Sequence, residues 1–302
     1  MKKPLSDNDL RLARVFCKIV DCGGIAAAEA SLGVGRSTIS RQLQDFETRL
    51  GVVLCERGRG GFRLTQEGAQ TLAYVEALLA AVDNFSTDVA GLSRDVVGKV
   101  KLGLIDTSTS DPRNPIRHIL KTFQTRAPNA RLEVSTGAAK ALERKVLDGQ
   151  LHFALIPEYW QHEGLETLPL YQERVGLFAG RGHPIAQRIQ AGRPPTRDEV
   201  LQHSLVFRGL PEPPELQQRK SGFVEGARSE ATEAVLALVS AGLHLGFLPA
   251  HLGQVAANDL VELLPEAFSY EMPISLIHRK DRLPSALLKH FLKAAKQVAG
   301  AR

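Results

Sequence analysis

The sequence predicts an α/β protein. A helix-turn-helix unit with a β hairpin behind it leads into a long linking helix, then into strands alternating with helices in two lobes. Three observations carry this. From Gly33 to Leu50, the apolar residues Ile39, Leu43, Phe46 and Leu50 recur at steps of four, three and four, one buried helical stripe. Beyond Thr65, the residues Leu72, Val75, Leu79, Val82, Phe85, Val89 and Leu92 recur every three or four positions, with no later Pro or Gly before Gly91. From Val96 onward, short apolar runs alternate with helical spacings, the texture of βαβ units.

The first helix pair is Ile25 to Leu32, rich in alanine, then a tight Gly33-Val34-Gly35 turn and the amphipathic segment. The polar face of that segment carries Arg36, Ser37, Ser40, Arg41 and Gln44. Forked cations, short hydroxyls and an amide are the side chains that hydrogen-bond to phosphates and base edges. Helix, short turn and polar-faced helix make a helix-turn-helix unit, whose second helix enters the major groove. An ordinary amphipathic hairpin is the competing reading. After Leu50 the segments Val52–Cys55 and Phe62–Leu64 read as hairpin arms around a tip at Gly58–Gly61. Arg57, Arg59 and Arg63 place three cations on this wing, suited to the phosphate backbone. A solvated glycine-rich loop is the alternative.

From Leu10 to Gly68 the chain resembles the LysR-type transcriptional regulators of bacteria. The resemblance rests on Phe16, Gly23, Ala27-Ala28, Leu32, Val34, Ser40, Leu43, Glu47, Leu50-Gly51, Leu54, Arg57, Leu64-Thr65 and Gly68. Three positions depart from the pattern. Gly35 replaces the usual Ser, which removes a side-chain N-cap; Arg36 replaces Gln; Cys55 replaces Phe. The base preference of relatives therefore does not transfer. The Arg36 fork matches the O6 and N7 acceptors of guanine.

Composition agrees without deciding. The chain has 302 residues, 43% of them hydrophobic, and a net charge of +5, enough for two or three domains and compatible with nucleic acid. No apolar run is long enough to span a bilayer and no signal peptide is read, so the expected location is the cytoplasm. Cys17, Cys22 and Cys55 are an odd set without metal spacing, which favours core roles over disulfides, and no metal or other cofactor is expected.

The boundaries follow: residues 1–64 for the winged domain, 65–95 for the linker helix with Thr65 as N-cap, and 96–302 for the C-terminal region. A helix of about thirty residues would reach about 45 Å, and its apolar stripe calls for a partner. The resemblance implies that it pairs with its copy in a dimer, or a tetramer of two dimers.

In the C-terminal region Val97–Ile105, Arg131–Ser135 and Leu151–Ile156 are strands, with helices at Pro115–Arg126 and Ala138–Leu147 between them. A second set begins with the strand Arg174–Ala179 and continues through Asp198–Leu201, Leu205–Phe207, Ala231–Ala241 and Leu245–Leu248. The chain returns through Met272–His278 into a final helix at Ser285–Val298. The resemblance implies a two-lobed, periplasmic-binding-protein-like effector domain, with lobe I near 96–168 and 268–302 and lobe II near 169–267.

Such lobes take a small ligand where their strand ends converge. The resemblance puts it near Thr107, Ser108, Thr109 and Thr136, and the end of the strand at Phe207-Arg208 adds a cation suited to a carboxylate. Asp106 and Asp111 flank the polar loop, which opens a helix, and would repel an anion, so the charge of the effector stays open. Trp160 is read either near a hinge or as surface packing, and His183-Pro184 as part of a turn.

Enzyme signatures are missing: there is no phosphate-loop glycine-lysine run, no His-Glu-x-x-His, no nucleophile elbow, and the nine histidines lack ligand spacing. The reading is a DNA-binding transcriptional regulator controlled by a small molecule, with double-stranded DNA and a homodimer or tetramer as partners and no membrane. The alternative is a ligand-binding or catalytic α/β protein whose N-terminal domain only oligomerises it.

Overall fold

Short polar residues and glycines punctuate the helices of the N-terminal unit. The computed structural model describes residues 4–58, 61–90, 98–158, 162–209, 212, 214–255, 259–281 and 285–300. The chain divides into two compact units, one of residues 1–89 with 148–150 and one of residues 90–147 with 151–302.

The first unit holds α1 (Asp7–Asp21), α2 (Ile25–Leu32), α3 (Arg36–Leu50), β1 (Cys55–Gly58), β2 (Gly61–Leu64) and α4 (Gln66–Ala90). At the start of α1 the Ser6 N–H donates to Asp9 Oδ2 at 2.7 Å, which satisfies one orphan amide. Gly33 and Gly51 end α2 and α3 at φ 66° and 74°, backbone that side chains with a Cβ rarely adopt. The three helices bury Leu12, Phe16, Ile19, Ala28, Ile39, Leu43 and Phe46 together with Leu54. The rings of Phe16 and Phe46 lie 6.0 Å apart at its centre.

Glu47, one turn from the end of α3, accepts from the Leu54 and Cys55 amides at 2.8 and 3.3 Å and so ties the helix to the hairpin. The first arm is Cys55–Gly58 rather than Val52–Cys55, with Cys55 opposite Leu64 and Gly58 opposite Gly61. Residues 52–54 are lead-in because their polar groups are already engaged: Leu54 N goes to Glu47 and Leu54 O accepts from Thr65 N at 3.0 Å. Thr65 caps α4, its Oγ1 accepting from Gly68 N at 2.8 Å. Leu92, expected in the same helix, lies outside the described residues.

In the second unit β3 (Gly98–Leu104), α5 (Ile116–Arg126), β4 (Ala130–Thr136), α6 (Ala139–Leu147) and β5 (Phe153–Pro157) form a parallel βαβαβ set. Strand β6 (Leu165–Gly180) then crosses to a second lobe containing α7 (Pro184–Gln190), α8 (Arg197–Leu201), β7 (Ser204–Phe207), α9 (Pro214–Lys220) and β8 (Val224–Arg228). That lobe continues with α10 (Thr232–Ser240), β9 (Gly246–Pro249), α11 (Ala250–Gly253), β10 (Leu260–Glu262) and α12 (Pro265–Phe268). Strand β11 (Tyr270–Arg279) returns and α13 (Ala286–Gly300) closes the first lobe. The strand order is β10-β6-β11-β5-β3-β4, with β9 also on β6 and β7 paired to β8. The antiparallel pair β6 and β11 is thus shared by both lobes, and its register shifts between Ile274 and Ser275.

Three expectations change here. Strand β6 begins at Leu165, not Arg174, because the exposed Glu166, Thr167 and Pro169 and the register shift opposite Tyr171 and Pro169 hide its alternation, although β11 pairs it from Leu165 to Val175. His183 is not a mere turn residue: its Nδ1 accepts from Ile185 N at 3.2 Å and caps α7. The loop after β3 does not open a helix directly. Ser108–Ser110 make one 3-10 turn, Pro112 and Pro115 interrupt, and α5 starts at Ile116, whose amide donates to Asn114 Oδ1 at 2.9 Å. Val97 lies outside the described residues, so β3 is described from Gly98. Lobe I is filled by Phe123, Phe153 and Phe291, with Phe291 stacked on Phe153 at 4.6 Å and edge-on to Phe123 at 5.2 Å.

Candidate functional site

Two surfaces carry chemistry, one in each unit. In the first, Ile39, Leu43 and Phe46 are at most 2% exposed, which turns the opposite face of α3 outward. Arg36, Ser37, Arg41 and Gln44 lie exposed on that face and Ser40 is half-buried at its edge. Gly35 leaves the start of α3 without a side-chain cap. The Arg36 Nε reaches back 3.0 Å to Glu29 Oε2 on α2, a pair of exposed side chains. Such surface pairs contribute at most about 1 kcal/mol, so the guanidinium is oriented but still available. Arg63 is exposed on β2, and the backbone of Arg57 pairs with that of Phe62 on β1. Arg59 lies outside the described residues.

The second surface sits where the lobes face each other around the crossing strands. Asp106, just past β3, accepts from the Thr232 amide at 2.7 Å and from its hydroxyl at 3.2 Å, so a lobe I carboxylate holds the first turn of α10 in lobe II. Arg208, at the end of β7, donates through Nη2 to the same hydroxyl, while its buried Nε has no hydrogen-bond partner. Ser110 Oγ and His251 Nε2, on α11, are 2.9 Å apart. Asp111 is held by the Arg113 amide at 2.8 Å and by its guanidinium at 3.3 Å, and its Oδ2 lies 3.7 Å from His251 Nδ1.

Glu173 enters from the middle of β6, opposite Met272 of β11. One potential ligand atom each from Asp111, Glu173 and His251 lies within 4.8 Å of the others, and the three residues are 2, 3 and 7% exposed. Burial, reinforced by Asp111 and opposed by Arg208 and Arg113, pushes the Glu173 carboxyl up to about 7. Burial pulls His251 below the usual imidazole range against Asp111 and the Thr107 backbone, and raises the Tyr171 hydroxyl, with Glu173 and Asp111 adding to it.

The folded chain keeps the Glu173 proton up to about pH 7, whereas an unfolded chain releases it near 4.5. Stability therefore falls as pH rises through that window. From the linkage of about 1.4 kcal/mol per tenfold change in proton affinity, the loss is roughly 3 kcal/mol. Glu173→Gln is accordingly expected to stabilise the ligand-free protein more at pH 8 than at pH 5, and melting curves at the two values check it.

Comparisons with known proteins match these two units to one lineage. Residues 10–69 match the family described as bacterial regulatory helix-turn-helix protein, lysR family, and residues 93–300 match the LysR substrate binding domain. The chain belongs to the LysR family. It is a sequence-specific DNA-binding transcriptional regulator of the LysR type, in a family of regulators rather than enzymes. It is 37% identical over 292 residues to the HTH-type transcriptional activator BauR of Pseudomonas aeruginosa, which covers 96% of this chain and 95% of BauR. It is 25% identical over 307 residues to the regulator TcbR of a Pseudomonas species, across 95% of this chain and 99% of TcbR. The crystal structure of CbnR, a LysR family regulator, shares the fold at TM-score 0.69 and 23% identity, covering 96% of this chain and 99% of that one.

Within this LysR-type chain, the residues expected to hold an effector are scattered in role. Thr107 is half-buried with a left-handed backbone (φ 61°), and its carbonyl accepts from Ser110 Oγ at 2.6 Å. Ser108 is fully buried, its hydroxyl donating to Ile105 O at 2.9 Å. Thr109 is exposed, with its carbonyl bonded by Arg117 at 2.9 Å. Thr136 is exposed at the end of β4. Phe207 is half-buried, with the Lys220 ammonium 5.3 Å from its ring centre. Arg208 alone of the six joins the polar cluster through its side chain. Tyr171, Glu173, Thr232 and His251 are not singled out by the sequence, and Asp111 enters it only as a flank of the loop after β3. The readable signal for Glu173 is its phase: it shares the inward face of β6 with Tyr171 and Val175.

Proposed function

We propose that this LysR-type regulator reads a two-fold symmetric site as a dimer, or a tetramer of two dimers, and that a small effector bound between its lobes sets the arrangement of its DNA-binding heads. The domains in this reading are 1–64, 65–95 and 96–302. The observation that carries the DNA interface is the polar face of α3, with Arg36, Ser37, Arg41 and Gln44 outward and Ile39, Leu43 and Phe46 buried behind it. Ser40 lies at the edge of the interface, and Arg57, Arg59 and Arg63 add the wing's phosphate contacts.

Dimerisation is supported by α4, where Tyr74, Phe85 and Val89 are 75, 70 and 49% exposed on one helix. An exposed apolar stripe of this kind is covered in a stable assembly. CbnR has also been crystallised with its target DNA, and that structure shares this fold. Among the described residues no helix is long and apolar enough to cross a membrane, consistent with action on DNA in the cytoplasm. The effector acts by preferring one arrangement of the lobes, a population shift rather than a new contact with DNA.

A binding-site selection with the full-length protein at near-physiological salt tests the reading. A symmetric motif with half-sites about one helical turn or a multiple apart is expected. Arg41→Ala should weaken the selected site by about 1–3 kcal/mol. Arg36→Ala should relax a guanine preference under the start of α3. Binding that is sequence-blind and falls steeply with salt would refute the interface.

A further inference from the structure

The buried cluster between the lobes has unmet needs at both ends. At one end are acceptors. Glu173 is 3% exposed and its carboxyl meets burial and neighbouring charges, and His251 Nδ1, in a residue 7% exposed, has no hydrogen-bond partner. Asp111 Oδ2 stands 3.7 Å from that nitrogen. Tyr171, 9% exposed, has a hydroxyl without a partner, and its electrostatic coupling to Glu173 and Asp111 places it beside them. At the other end is a donor, the buried Arg208 Nε, close enough to Glu173 to interact with it electrostatically.

An unpaired buried carboxylate or guanidinium group costs several kcal/mol, so both ends call for a complementary group. An ammonium brings three N–H donors and no acceptor, which matches Asp111, Glu173 and, in the tautomer whose Nε2–H donates to Ser110, the Nδ1 lone pair of His251. A carboxylate matches the remaining Arg208 donor. The charge count argues against a divalent metal: Arg113 already sits on Asp111, and Arg208 shares the Thr232 hydroxyl with Asp106 and acts electrostatically on Glu173, so two cations offset the three acids Asp106, Asp111 and Glu173.

We infer that the effector of this regulator is a small zwitterion, its ammonium held by Asp111, Glu173 and His251 and its carboxylate by Arg208. The inference deepens the proposed effector site and rests on it. Glu173 faces Asp111 and Arg113 from the loop after β3, Tyr171 from its own strand, Arg208 from β7, His251 from α11 and Asp106 beside α10. Bound ammonium favours its ionised form, so affinity should fall as pH drops from 8 to 6.

The experiment is titration calorimetry on the full-length protein with a homologous series of unbranched ω-amino carboxylates, from glycine to 6-aminohexanoate. Matched alkanoates, matched alkylamines, zinc and manganese serve as comparison probes. The expected result is binding by a narrow range of chain lengths, at least tenfold weaker when either the amino or the carboxylate group is removed. Glu173→Gln and Asp111→Asn should each weaken it at least tenfold, and Glu173→Gln should flatten its pH dependence; melting curves confirm that the variants fold. Alkanoates binding as tightly as the amino carboxylates, with loss on Arg208→Gln, would overturn the zwitterion while leaving the effector cleft standing. Binding of the metals alone would also overturn it. No binding by any probe, and no effect of any probe on DNA affinity, would overturn the zwitterion and remove the support for the cleft.

Discussion

Truncating Phe291 to alanine is expected to lower the unfolding free energy of the C-terminal unit by about 3–5 kcal/mol. Phe291 is fully buried, stacked 4.6 Å from Phe153 and edge-on at 5.2 Å to Phe123. It projects from α13 onto the sheet that β3 and β5 build, so its removal leaves a void bounded by a helix and by strands formed far earlier in the chain. Neither side relaxes easily, which puts the cost toward the upper end for aromatic truncations. Phe291→Leu should recover part of the loss because it refills most of the volume. Chemical unfolding followed by circular dichroism measures both. A change under about 1 kcal/mol for the alanine variant would mean that the packing is not as described.

Gly68→Ala is expected to cost the N-terminal unit as much or more, for the opposite reason. Here the fault is an added atom: a Cβ on Gly68 would lie 1.9 Å from the carbonyl oxygen of Leu54. That oxygen is backbone, fixed by the amide of Thr65 at 3.0 Å, and Thr65 in turn caps the helix through Gly68 itself. The start of α4 and the lead-in to β1 must separate to admit a methyl group. Overpacking costs about 1–3 kcal/mol and occasionally more, and a contact this short against backbone belongs to the severe cases. The expected phenotype is loss of DNA binding together with a lowered melting temperature of the N-terminal unit. A variant that bound DNA normally would contradict the close approach.

The sequence made most of the first unit legible because its signals are local. The Ile39, Leu43, Phe46 stripe, the glycines that end α2 and α3, and the Thr65 cap all act within a turn of themselves. Where the reading slipped, a distant partner decided: residues 52–54 look like strand, but Glu47 and Thr65 claim the polar groups of Leu54. The parallel βαβαβ core was equally plain from its apolar runs. Strand β6 was half missed because its first half is exposed on one face and is fixed by β11, about a hundred residues later. The cleft was the least legible part. Asp111, Glu173 and His251 come from three separate stretches of chain, and only Arg208 announced itself as a lone cation at a strand end. A buried carboxylate looks like any other glutamate until the fold closes around it.

The division of α3 into a packed face and an open one also bears on how such a protein diversifies. Ile39, Leu43 and Phe46 hold the helix in the core and Glu47 anchors it to the hairpin, whereas Arg36, Ser37, Arg41 and Gln44 carry none of that packing. If the proposed interface reads DNA through these four outward positions, one copy after gene duplication can drift there and acquire a new operator while inheriting its scaffold unchanged. Recognition and foldability are inherited here on nearly separate sets of codons.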